Sequence, residues 1–172
     1  NELGKAYELA VLEFSFSFWQ WGSKCEEIPG NESLDASLDY LLKVSNIDFF
    51  ADVSMEKYAP HYYQAASQMG YYGYDIEPFK EDLKHFTSNP PAAFYPKDAG
   101  RVVYDPALNR KVAAWLKTVG NNMLYIYGGS DTWSADMIIP TSKVNSKVFV
   151  LPGKDHGKAR VIHMDPVMKK QF

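Results

Sequence analysis

The chain has 172 residues, 46% hydrophobic and 23% charged, an ordinary globular balance with enough apolar material for a core. Lys and Arg number 18 against 21 Asp and Glu, and the net charge of −3 leaves no basic excess of the kind nucleic-acid binding rests on. A single cysteine, Cys25, excludes an internal disulfide and a multi-cysteine zinc site, and no apolar run approaches the ~20 residues of a membrane span.

Residues 5–21 predict the first helix, with Tyr7, Val11, Phe14, Phe18 and Trp21 at helical spacing and Gly22 as its stop. Phe14, Phe16 and Phe18 also alternate as in a strand, but the uninterrupted length favours the helix. A second helix is expected over 33–45, with Leu34, Leu38, Leu41 and Leu42 on one side. A third covers 54–69 and ends at Gly70, with Pro60 marking a break or a first-turn position. The segment Tyr71-Tyr72-Gly73-Tyr74-Asp75 reads as a loop and 78–86 as a short helix. A division falls near Asn89-Pro90-Pro91, so that 1–100 forms an aromatic-rich helical region and 101–172 carries the strands.

In that second region Asp105-Pro106 caps a helix that runs to Val119 and stops at Gly120. Residues 123–127 predict a buried strand closed by Gly128-Gly129, and 147–151 a second one closed by Pro152-Gly153. A short helix is expected over 134–139, and Asp165-Pro166 restarts a helix near the end.

Two loops follow those strands directly, Gly128-Gly129-Ser130-Asp131-Thr132-Trp133 and Gly153-Lys154-Asp155-His156-Gly157. The carboxyl ends of strands in α/β sheets are where reactive groups collect. An acid after one strand and a histidine after the next is the closing order of an α/β-hydrolase triad, Ser, then Asp or Glu, then His. The chemistry explains the residue types. A histidine takes a proton from a serine hydroxyl and returns it to the leaving group, while a carboxylate holds the correct tautomer and stabilises the imidazolium. Asp131 and His156 fill those roles, and Asp155 is expected to point elsewhere. Ser130 resembles a nucleophile elbow, except that Thr132 replaces the last glycine. An acid-bearing strand does not fit in the 25 residues between Ser130 and His156 beside the strand already there, so Ser130 is expected to be a loop residue. The nucleophile then lies outside this sequence. Two strands are also too few for a stable doubly wound sheet, so the chain is expected to be a carboxy-terminal piece of a larger protein.

The string from Tyr125 to Ala135, Asp155-His156-Gly157, and the aromatic strings 13–21 and 64–75 together resemble the PS-10 type of bacterial serine exopeptidases, the tripeptidyl-aminopeptidase family S37, relatives of the lysosomal Pro-X carboxypeptidases. The resemblance implies a mostly helical α/β fold: a helical cap plus the last two strands and helices of an α/β-hydrolase core, incomplete on its own. It also implies a secreted or periplasmic address, peptide substrates with a free amino terminus, no cofactor, and the triad acid at Asp131 with the triad base at His156. The family's amino-terminal half, with its nucleophile and oxyanion hole, is then a partner this chain is missing, and the piece by itself is expected to be inactive and to bind that half or self-associate.

Four further residues are candidate substrate contacts: Glu13, Gln64, Tyr71 and Trp133. Glu13 lies in a very apolar helix, where a carboxylate needs a partner; a substrate ammonium group is one, and a structural hydrogen bond to a tyrosine or tryptophan is the other. Asp155, His156, His163 and Asp165 fit no metal-ligand spacing, and no metal is expected. Two alternatives stand beside the peptidase: a non-catalytic, aromatic-rich helical module that binds peptides or glycans, and a small esterase using Ser130.

Overall fold

The aromatic start of the chain is helical. Helix α1 (Glu2–Gln20) begins earlier than its apolar spacing predicts and ends where it predicts. At its end the Ser23 N–H donates to the Phe18 carbonyl (3.0 Å) and the Gly22 N–H to the Trp19 carbonyl (3.3 Å). That pattern requires a left-handed residue after the helix, and Gly22, at φ 74°, supplies it. The computed structural model describes residues 2–30, 33–70, 73–88, 94–96 and 98–171. These group into two units, residues 1–15 with 26–109 and residues 16–25 with 110–172, and α1 contributes to both.

In the first unit, α2 (Leu34–Ser45) is capped by Ser33, whose hydroxyl accepts from the Ala36 N–H, and it closes on Asn46 in the left-handed conformation. Its last residue, buried Ser45, donates its hydroxyl to the Ala10 carbonyl at 2.6 Å and so ties α2 to α1. Helix α3 (Asp52–Gln64) runs through Pro60 without a break and widens into a π-helical turn over Ala65–Met69. Pro60 therefore marks neither a break nor a first turn; it stands inside the helix. Leu9, Leu12, Phe50, Met55, Tyr62 and Phe94 are each buried in this unit, the Tyr62 and Phe94 rings 4.7 Å apart between centroids.

The helix expected over 78–86 does not form; only a 3-10 turn, Glu77–Phe79, appears there. The physical reason is Glu8. Its buried carboxylate takes the backbone N–H groups of Lys84, His85 and Phe86, which an α-helix would direct to carbonyls four residues earlier.

The second unit holds most of α4 (Ala107–Thr118) and the strands β1 (Leu124–Gly128) and β2 (Lys147–Leu151). The strands pair in parallel, from Leu124 opposite Lys147 to Gly128 opposite Leu151, so both chains leave the sheet at the same end. Phe149 and Leu151 pack with Met164, Ile126 and Met168, the last on the one-turn helix α5 (Pro166–Lys169) that Asp165 caps. Between the strands, the helix expected over 134–139 is a 3-10 turn, Thr132–Asp136. The fold is mostly helical with a small two-stranded parallel sheet, as a partial α/β fold shows. Among the described residues no helix is long and apolar enough to cross a membrane.

Candidate active site

The parallel register brings two loops to one end of the sheet. After β1 the chain turns at once: the Gly129 N–H donates to the Leu151 carbonyl (2.8 Å) and the Ser130 N–H to the Lys154 carbonyl (3.0 Å). The second loop lies so close that a Cβ at Gly128 would stand 3.0 Å from the Asp155 carbonyl oxygen and closer still to that of Lys154. Glycine at 128 is what lets the loops touch.

Asp131 follows this turn, and its two carboxylate oxygens do different work. Oδ1 accepts the Trp133 N–H at 3.1 Å and so caps the 3-10 turn. Oδ2 lies 2.7 Å from Nδ1 of His156. An ionised carboxylate only accepts, so Nδ1 carries the proton and donates it, and Nε2 is left as the other end of the ring. The Asp131 side chain is 8% exposed and that of His156 is 43% exposed, which places the carboxylate behind the imidazole and the imidazole towards solvent. Among the described residues no hydrogen bond reaches Nε2. The cap and the pairing coexist because each uses its own oxygen.

The histidine loop is held from the end of α1. The His156 N–H donates to the Gln20 carbonyl at 2.9 Å. The Trp21 ring meets the imidazole edge-on, with centroids 5.6 Å apart and planes at 78°. Asp155 is buried beside them. Burial opposes its charge, but the Lys158 ammonium and the N–H groups of Lys158 and Gly157 outweigh that and hold its carboxyl below the ordinary aspartate value. Its carboxylate bonds Lys158, while the imidazole bonds Asp131. The support from Gln20, Trp21 and Gly22 had no sequence signal beyond the helix stop at Gly22, because nothing local says which distant loop a helix end will meet.

The other candidates divide between the two units. Trp133 is exposed and adjoins Asp131. Ser130 lies in the turn after β1, followed by a 3-10 turn rather than a helix, and no hydrogen bond links its hydroxyl to His156. Glu13 belongs to the first unit, where it is buried and accepts the Tyr74 hydroxyl at 2.9 Å, the structural partner weighed above. Gln64 closes α3 in that unit and is exposed. Tyr71 lies outside the described residues. Among the described residues no three His, Cys, Asp or Glu side chains gather as metal ligands: His163 Nδ1 faces the Lys158 carbonyl and Asp165 caps α5.

Comparison with known proteins adds two findings. The family model described as PS-10 peptidase S37 matches residues 1–171. The prolyl tri/tetrapeptidyl aminopeptidase of Streptomyces mobaraensis is 30% identical over 159 residues, covering 89% of this chain and 33% of that protein. The chain thus spans about a third of this relative's length. No solved structure matches.

Proposed function

The chain belongs to the PS-10 peptidase S37 family, and from that premise we propose that the protein carrying it is a serine peptidase working by acyl transfer. The observation that carries the reading is the His156–Asp131 contact of 2.7 Å, with Nε2 left facing away from its carboxylate. In this reading a serine hydroxyl from the remainder of the protein gives its proton to Nε2 as its oxygen attacks the scissile carbonyl. Asp131 holds Nδ1 protonated and stabilises the imidazolium. The C–N bond then breaks, the amine leaves with the proton from Nε2, and water hydrolyses the acyl-enzyme through the same shuttle. The frame is an α/β-hydrolase core whose last two strands are β1 and β2, with residues 1–100 as its helical cap.

The substrate is a peptide with a free amino terminus, the class that the relative's name indicates for that protein. Trp133, exposed beside the pair, is its proposed contact in the second unit. Glu13, Gln64 and Tyr71 are proposed contacts in the cap, where Glu13, beside the Tyr74 hydroxyl, is an acceptor suited to an ammonium group. A secreted or periplasmic address belongs to the same reading.

The test is peptide release by the full-length protein. Asp131→Asn is expected to lower kcat roughly ten-thousand-fold with the fold intact, since an amide no longer stabilises the productive tautomer. His156→Ala is expected to cost roughly a million-fold. Activity retained in either variant removes the triad assignment. Saturable peptide binding without turnover in the wild-type protein favours the non-catalytic module instead.

A further inference from the structure

The catalytic reading uses Asp131 and His156 but leaves unexplained a buried carboxylate directly before the histidine. We propose that Asp155 is a positioning residue for His156, locking the loop between β2 and the imidazole against the end of α1 so that Nδ1 meets Asp131. The inference rests on His156 being the proton carrier.

Its contacts are of three kinds. The carboxylate takes the Lys158 ammonium on Oδ2 and the Lys158 N–H on Oδ1 at 2.9 Å. Its own carbonyl accepts the N–H groups of Lys158 (3.1 Å) and Ala159 (3.0 Å), closing a turn around the histidine. The same carboxylate occupies the space beside Gly22 that a Cβ there would need, so the glycine that stops α1 is also the surface on which Asp155 rests. With the His156 N–H on the Gln20 carbonyl and its ring against Trp21, Asp155 and His156 are seated on three consecutive residues, Gln20, Trp21 and Gly22. A buried carboxylate is expensive unless charge and hydrogen bonds satisfy it. Here a cation and backbone donors do so, which makes the loop stiff. An imidazole that must hold one hydrogen bond and offer its other nitrogen needs such a support, because small misplacements of a proton carrier are costly.

The experiment is NMR of the full-length protein with imidazole nitrogens labelled, reading the Nδ1–H proton of His156 and its exchange with solvent. In the wild-type protein this proton is expected as a downfield, slowly exchanging signal, and Asp131→Asn is expected to abolish it. Asp155→Asn is expected to speed its exchange about tenfold or more, the loss of a charge-assisted hydrogen bond, while amide signals of β1 and β2 keep their positions. A merely structural role would move stability or those amides and leave the Nδ1–H proton alone. Should Asp155→Asn fail to fold, Lys158→Met decides: its side chain is more than half exposed, and it removes the cation while keeping the backbone donors. Faster exchange in Lys158→Met supports the proposal. A signal that Asp131→Asn abolishes, but that neither Asp155→Asn nor Lys158→Met alters, overturns it and spares the pair. A wild-type protein without the signal, or a signal that survives Asp131→Asn, overturns the pair and this inference with it.

Discussion

Glu8 is buried on α1, and its two oxygens take contacts from three consecutive N–H groups: Lys84 at 2.6 Å, His85 at 3.1 and 3.0 Å, and Phe86 at 3.1 Å. A carboxylate suits such a nest because it only accepts, whereas an amide sets its own N–H groups against one side of it. Glu8→Gln is therefore expected to destabilise the chain by about 2 kcal/mol, as charged hydrogen bonds of this kind do. Hydrogen exchange and a urea midpoint check it, with the amides of Lys84, His85 and Phe86 losing protection first. Unchanged protection there would mean that the carboxylate does not hold the loop. Asp131 and Asp155 show the same economy at this scale, since each divides its oxygens between shaping a turn and meeting a cation or an imidazole. The sequence showed the residue types of the pair because each follows a strand. It could not show the division of labour between oxygens, which depends on backbone donors that any residue supplies.

At the scale of elements, legibility follows the range of the forces. Helix α2 and both strands appear within one residue of their expected bounds, because Ser33, the glycine and proline stops and short apolar runs are local signals. Pro60 misleads because a proline costs a helix one hydrogen bond and some crowding, and burial of Met55, Ala59 and Tyr62 on either side keeps α3 continuous. The segment 78–86 misleads in the opposite direction, its N–H groups being claimed by a side chain far earlier in the sequence. The grouping of 16–25 with 110–172 has the same character. No pattern within α1 marks where it passes from one unit to the other.

At the scale of the whole molecule, the chain spans about a third of a relative's length and carries much exposed apolar surface. Leu108, Val112, Trp115 and Val119 recur at helical spacing along and just beyond α4, and all four are exposed. A stripe of that width usually faces a partner. By itself the chain is expected to elute in gel filtration above its monomer mass of 19.5 kDa, and Trp115→Glu to shift it towards that mass. A monomer at high concentration would show that the stripe tolerates water. The central claim, that Asp131 and His156 serve an attacking hydroxyl supplied from outside this chain, meets its most direct test in a fluorophosphonate probe and peptide mapping of the full-length protein. The label is expected on a serine outside these 172 residues, with labelling lost in His156→Ala and the chain by itself unlabelled. A label on Ser130, or labelling that persists without His156, would contradict it.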